Sequence, residues 1–536
     1  MVEIIEPADA MKAHSAIAHH GDVSDGSETK SLDQQPEGVQ MRKRFNFLSL
    51  WLLFVAGTAG WEAIISSLYQ CLLAGGPSVL VWGFVISAVA ACCISFSLAE
   101  FASIWPSVAG QYHWAVALAP PKWRTLVGWY CAWILLLMNI LSSLSALFAG
   151  AFSLQALIVI SIDSYTAERY QAYLIIVAIL VLATVINLFA PSMLHYLSLI
   201  GTMTHILGFF AIIITLLATT KNKNSGKEVF GSLENYTGYQ NNAAAFFIGL
   251  LPTTAGFSTL DLPARYAEET ARPHKDVSRA MFWGVLTSSA IGFPLVLVIA
   301  FCMGDPADLL TSQIASLSPL AQIVYNSTGS LGAAIVLACI IIVVAIISAI
   351  DCMGGISRII MAQARDNIIP FGPFFSRIHP RWNTPANAIM ACSISQACLA
   401  VIYIGNKTAF YGFLSGVFTL QVLSYGTPVV FHLFRRKALN LTYGPWRMGQ
   451  SVSLLANVVG ILLYLMLFVA VSLPAELPVT APSMNYAAPI VGMALVLITI
   501  LWFVWGKWSY NGPVHIVDGV GVVAGVDEDE TREKGF

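Results

Sequence analysis

Apolar runs of about 20 residues or more recur along nearly the whole chain, at roughly 46–73, 78–103, 124–150, 171–190, 193–219, 243–262, 280–302, 331–357, 385–404, 409–434, 451–473 and 486–508. In lipid, a crossing segment has to satisfy its own backbone N–H and C=O groups, which a continuous α-helix does. The runs therefore predict an all-α polytopic membrane protein with about twelve transmembrane helices. Composition agrees: 57% of the 536 residues are hydrophobic and only 10% charged, against roughly 25% charged in a soluble domain. The first 41 residues are polar and acidic, without the apolar core of a cleaved leader. The expected organisation is a disordered cytoplasmic tail over 1–44, a transmembrane domain over 45–510 and a cytoplasmic tail over 511–536.

Two of the apolar runs are interrupted by the same small–small–glycine–aromatic pattern, Thr58-Ala59-Gly60-Trp61 and Thr254-Ala255-Gly256-Phe257. A glycine break at membrane depth is tolerated only where the freed backbone groups face protein, water or a ligand. Paired breaks in corresponding spans of two halves point to the central site of a secondary transporter. If the first five spans and the next five are inverted copies, spans one and six bring four half-helix ends to one cavity. Their amino ends offer N–H groups to a carboxylate, and their exposed carbonyls accept from an amine. A zwitterionic or cationic amine is the natural guest. Gly60 and Gly256 allow close backbone approach and non-helical angles. Trp61 and Phe257 are placed to wall the cavity and to stack over an ammonium, ordinary packing being the alternative.

Glu62 follows the first break directly, with no basic residue near it in its own helix. A lone carboxylate at this depth costs about 3 kcal/mol on insertion scales unless it is paired, hydrated or protonated. It is the leading candidate to balance a substrate ammonium or to carry a coupling proton. His205, deep in span five, is the second proton-carrier candidate, a neutral core histidine being its alternative. Glu100 and Asp261, at the inner ends of spans two and six, are gating candidates that are equally readable as fixed salt bridges or caps. Asp351 is expected to join Arg358 in a network at the cytoplasmic edge. No sodium cage stands out among the scattered Ser and Thr, and no metal or cofactor is expected.

Positive charges near span ends stay on the cytoplasmic side. With the amino terminus inside, the clusters around Arg42–Arg44, Arg265–Arg279, Arg358–Arg381 and Arg435–Arg447 fall in the cytoplasm, and Arg169, Lys221, Lys223, Lys227 and Lys407 fall outside. Both tails are then cytoplasmic. The sequons at Asn235, Asn326 and Asn406 lie in outer loops as N-glycosylation candidates, and the one at Asn440 lies inside. The nine cysteines sit in or beside spans without a CxxC pair and read as small packing residues.

Several blocks now carry a resemblance. Trp61-Glu62, Ala74-Gly75-Gly76-Pro77, Leu98-Ala99-Glu100, Pro106, Gly110-Gln111-Tyr112 and Ala119-Pro120-Pro121-Lys122-Trp123-Arg124 form the first set. Asp261 with Ala267-Glu268-Glu269-Thr270, Ala364-Arg365-Asp366-Asn367, Pro370, Pro385 and Gly444-Pro445-Trp446 form the second. Over about 45–510 the chain resembles the amino acid–polyamine–organocation superfamily, and within it the fungal amino acid/choline transporter family of GABA and choline permeases. The resemblance implies a five-plus-five inverted repeat with discontinuous helices one and six, plus two carboxyl-terminal helices. It also implies proton-driven uptake of a small amine-bearing solute at the plasma membrane. The substrate site it implies is Gly57, Thr58, Ala59, Gly60, Trp61 and Glu62 with Thr253, Thr254, Ala255, Gly256 and Phe257. Members often carry an aromatic before the span-six aspartate and a histidine four residues after it; here these positions hold Leu260 and Arg265, and Pro263 interrupts the stretch.

Three other classes compete. A polytopic enzyme would need a motif such as HExxH, GxGD or a serine nucleophile elbow, and none is present. A channel would usually use a repeated polar ring rather than two unlike broken helices. A transporter-like nutrient sensor, or a carrier of a specialised metabolite or its amino acid precursor, stays open as the alternative. Expected partners are the small amine, a proton and the bilayer, with no nucleic acid; oligomeric state is not legible.

Overall fold

The computed structural model describes residues 42–513 except 163, 407, 440 and 481–483. Most of both expected tails, and the sequon positions Lys407 and Asn440, therefore lie outside the described residues. The described chain is helical, with two isolated β-bridges, Phe45 with Thr270 and His379 with Thr384. Eleven helices among the described residues are long and apolar enough to cross a bilayer. The sixth expected crossing, 243–262, is the one that falls short: its only apolar helical stretch is Asn242–Ala255, itself in two pieces, Asn242–Ile248 and Leu251–Ala255. The count departs from twelve because that segment is broken.

The first span is broken too. It runs Phe47–Thr58, then Gly60–Ser66, then Tyr69–Ala74. Asn46 starts it with a reciprocal cap, its side chain accepting from the Ser49 N–H at 3.0 Å while Ser49 Oγ accepts from the Asn46 N–H at 2.8 Å. The remaining spans are the second (Pro77–Ile104), third (Arg124–Ser161), fourth (Arg169–Phe189), fifth (Leu194–Thr219), seventh (Pro273–Cys302), eighth (Leu331–Arg365), ninth (Ala386–Ala400), tenth (Ala409–Arg435), eleventh (Gln450–Ser472) and twelfth (Ala487–Leu501). Proline at the first turn of the second and seventh spans starts each helix at no hydrogen-bonding cost.

The second span packs on the seventh, the third on the eighth and the first on the sixth, so each element meets the one five places later in the chain. That pairing is what two copies folded about a common axis produce. Apolar side chains on the outside, such as Leu207, Val336 and Leu455, are about two-thirds exposed, as lipid-facing positions are.

At the end where the described chain begins, the structure is sealed. The N–H groups of Arg44 and Phe45 donate to the Glu269 carbonyl at 2.8 and 3.0 Å, and Lys43 Nζ donates to the Glu268 carbonyl at 2.8 Å. Arg365 pairs with the Glu268 carboxylate at 3.0 Å, and Arg358 Nε pairs with buried Glu269. Arg358 therefore spans to the loop after span six and does not join Asp351, contrary to the expectation from their spacing. Removing the acid alone with Glu269→Ala strands a buried guanidinium, and should lower stability by about 3–5 kcal/mol. Thermal unfolding of the solubilised protein should show the loss, with most of it recovered when Arg358→Met is added.

Candidate functional site

Gly60 and Gly256 lie against each other. A Cβ on Gly256 would stand 2.7 Å from the Gly60 carbonyl oxygen and 2.8 Å from Ile64, and a Cβ on Gly60 would stand 3.3 Å from the Gly256 carbonyl oxygen. The two breaks thus touch backbone to backbone. The kink in the first span falls one residue earlier than expected: Ala59 takes the left-handed conformation, φ 45° and ψ 49°, and Gly60 opens the next helical piece. A left-handed alanine costs roughly 1–2 kcal/mol, so the packing around it holds the kink in place. Gly256 keeps right-handed angles, φ −63° and ψ −5°; it serves close approach rather than unusual torsion.

Hydroxyls tie the breaks to their neighbours. Thr259 Oγ1 donates to Thr58 Oγ1 at 3.1 Å, joining the two broken segments. Ser348 of the eighth span donates to the Gly57 carbonyl at 2.7 Å, which satisfies a backbone acceptor the kink exposes. Gln421 of the tenth span does the same for the Phe257 carbonyl at 3.0 Å. Beside these contacts lies a chamber of about 50 Å³, walled by Gly57, Thr58, Ala59, Glu62 and Ala255, together with hydroxyls from the third, sixth and eighth spans. Ser142, Ser145, Ser258 and Ser348 belong to that wall and were not singled out in the sequence, because serine at helical spacing is also ordinary packing. No lysine or arginine lines the chamber; its one charged side chain is Glu62.

The other expected site residues sit off the chamber wall. Trp61 turns away from it, buried with its ring tilted against His205 at 5.4 Å between centroids. Phe257 packs against Phe84 at 5.7 Å. Thr253 is drawn toward the second span, exchanging a 3.0 Å hydrogen bond with Ser87, and Thr254 folds back on the Leu251 carbonyl at 2.7 Å. Gly60 and Gly256 form the contact behind the wall.

Glu62 and His205, separated by 143 positions in the chain, meet: the two carboxylate oxygens lie 2.8 and 3.0 Å from His205 Nδ1. Both residues are buried, and His205 Nε2 has no hydrogen-bond partner among the described residues. A carboxylate and an imidazole thus face each other at the edge of the chamber. The remaining candidates stand apart. Glu100 accepts from the Met448 N–H at 3.2 Å and the Ser453 hydroxyl at 2.9 Å, fastening the second span to the eleventh. Asp261 receives two bonds from Arg265, at 2.7 and 3.2 Å, and one from Tyr425 at 2.6 Å. Asp351 faces Ser198 at 3.1 and 3.2 Å.

A second, larger cavity of about 430 Å³ lies toward the opposite end from Arg42–Phe45. Ser66 and Phe410 line both cavities, so the two adjoin across Phe410. Ser66 Oγ is buried without a partner at that junction. The chamber adjoins this wider cavity and is lined by one acid and several hydroxyls. Among the described residues, no group of three potential metal ligands comes together.

Known proteins share this arrangement's sequence. The model of the amino acid permease family matches residues 45–496. A Macrophomina phaseolina protein named as an amino acid/polyamine transporter is 32% identical over 80% of this chain and 94% of its own length. The choline transporter of Saccharomyces cerevisiae is 28% identical over 95% of this chain and 86% of its own. The polyamine transporter of the same yeast is 27% identical over 96% and 83%.

The glycine contact predicts an asymmetric tolerance. Gly256→Ala drives a methyl into a carbonyl and should destabilise the solubilised protein by about 1–3 kcal/mol, whereas Gly60→Ala should cost under about 1 kcal/mol. Equal melting temperatures for the two variants would contradict the geometry.

Proposed function

The chain belongs to the amino acid permease family and is a multi-pass transporter of amino acids or related amines, not an enzyme; we propose that it is a proton-coupled secondary carrier whose cargo sits in the chamber beside the Gly60–Gly256 contact. The observation that carries this reading is the Glu62–His205 pair at the chamber edge. Without a proton to share, the pair bears one negative charge in a region where an uncompensated charge is expensive. A proton taken from the open side, or the ammonium of a cargo, cancels it. Only the neutralised site crosses the barrier to the other conformation readily, which links cargo movement to proton movement.

Substrate contacts in this reading are Gly57, Thr58, Ala59, Glu62 and Ala255 on the wall, with Gly60, Trp61, Thr253, Thr254, Gly256 and Phe257 behind it as supports. Coupling falls to Glu62 and His205. Asp261 with Arg265, and Glu269 with Arg358, form the closed gate, and Glu100 anchors the second span. The sealed end carries Arg42, Lys43, Arg44, Arg358 and Arg365, which supports placing it, and both termini, in the cytoplasm by the positive-inside rule. The open cavity then faces outward at the plasma membrane. Asn326 is exposed on the helix Pro319–Thr328 and is the most accessible of the glycosylation candidates. Asn235 is engaged instead, its amide donating to the Tyr239 carbonyl at 2.7 Å.

The amine cargo and the proton are tested together. In a transport-deficient cell, labelled choline, GABA and putrescine are offered in competition, and uptake should rise as the outside is acidified. Glu62→Gln removes the shared proton and should lower accumulation of the transported amine about tenfold or more, with the pH response flattened and surface delivery normal. His205→Asn should flatten the pH response with a smaller loss of rate. Uptake by Glu62→Gln that matches the parent in rate and pH response would overturn the coupling role.

A further inference from the structure

We propose that the open cavity above Phe410 is a second binding site, selective for small organic ammonium ions, through which cargo passes on its way to the chamber. The inference rests on the transporter reading above. The cavity holds about 430 Å³ against about 50 Å³ for the chamber, so it admits molecules the chamber in this state does not. Its walls include Tyr69, Phe152, Tyr403, Phe410, Tyr411 and Glu476. Five aromatic rings and one carboxylate form the combination that favours a weakly hydrated cation: ring faces attract it by their quadrupole and the carboxylate by its charge.

The rings are held in place by one another. Phe152 packs against Tyr403 and against Phe410, each at 5.3 Å between centroids, and Phe410 against Tyr411 at 5.0 Å. These residues come from the third span and from the junction of the ninth and tenth, so the cluster bridges two parts of the bundle. Glu476 is placed by its loop, which is pinned to the loop after span five: the Leu477 N–H donates to the Thr237 carbonyl at 2.7 Å, and the Tyr239 hydroxyl donates to the Pro474 carbonyl at 3.1 Å. The Glu476 carboxylate is exposed, and no basic side chain pairs with it among the described residues. A cavity with a fixed, unneutralised acid beside aromatic faces attracts ammonium groups and repels free carboxylates. Ser66 and Phe410, shared with the chamber below, make it an antechamber whose floor is the Phe410 ring.

Tetraethylammonium is the probe, because its girth suits the outer cavity and not the chamber. Its binding to the purified full-length protein is measured by calorimetry, beside uptake of labelled choline. The parent should bind it saturably and lose affinity as salt rises, since the attracting acid is exposed. Glu476→Gln should weaken binding by about fivefold or more and raise the KM for choline with little change in kcat; Tyr411→Ala should act in the same direction. Glu62→Gln should keep tetraethylammonium binding within about twofold of the parent. The outer site is overturned by an absence of saturable binding in the parent, by equal affinity in Glu476→Gln, or by loss of binding in Glu62→Gln, which would put the probe in the chamber. Normal, pH-responsive uptake by Glu62→Gln with binding still lost in Glu476→Gln would instead strike the coupling reading and leave the outer site standing.

Discussion

Two glycines pressed together in the middle of the bundle set the terms for everything around them. The Gly256 Cα sits where any Cβ would meet the Gly60 carbonyl at 2.7 Å, so the first and sixth spans approach through backbone alone. Backbone at that depth cannot be left unsatisfied, and the structure answers with side chains from other spans: Ser348 on the Gly57 carbonyl and Gln421 on the Phe257 carbonyl. The eighth and tenth spans are therefore committed to the breaks by hydrogen bonding as well as by packing. Ser142 and Ser145 of the third span, bonded to Ser258 and to the Leu141 carbonyl, line the space beside the breaks.

The molecule is asymmetric about that contact. On the side of Arg42–Phe45, backbone pairing with Glu269 and three ion pairs close the bundle, two of them buried. Buried pairs are weak contributors to stability because desolvation offsets most of the attraction. Their value lies in discriminating: each is satisfied in the closed arrangement and each is costly to leave half-made. On the other side a wide cavity adjoins the chamber at Ser66 and Phe410. A carrier has to exchange these two conditions, and closure by polar pairs that water can replace is reversible in a way that a fused apolar core is not.

Much of this was legible in the sequence. Apolar length gave the helices, and the repeated glycine pattern located the breaks, because both signals are local. Glu62 stood out since a carboxylate in an apolar helix has few bland explanations. What escaped was anything depending on neighbours far along the chain. The partner of Glu62 lies in the fifth span, so no spacing rule connects them. Asp351 and Arg358 share a helix and suggested a pair, yet seven residues along a helix is too far for the carboxylate, and Glu269 across the gap was closer. Trp61 stands next to Glu62, which lines the chamber, but one residue is 100° of helical turn, and the ring points to the fifth span instead. The chamber's serines were invisible for the opposite reason: their type is common at any helix contact.

Of the seven carboxyl residues buried among the described residues, the four that the sequence singled out inside spans are sorted by their partners. Asp261 is held by a guanidinium that does not give up its proton. Glu100 accepts from a backbone N–H and a hydroxyl, neither of which titrates in water's working range. Asp351 faces Ser198, whose hydroxyl is also directed at the Leu194 carbonyl at 2.8 Å, and it does not line the chamber. Of the four, Glu62 alone lines the chamber, and it faces the His205 imidazole. An acid with a fixed cation is locked, and an acid with only a hydroxyl has no second seat for its proton. The Glu62 carboxylate and the His205 imidazole are two groups that can each hold a proton, set side by side where Glu62 meets the chamber.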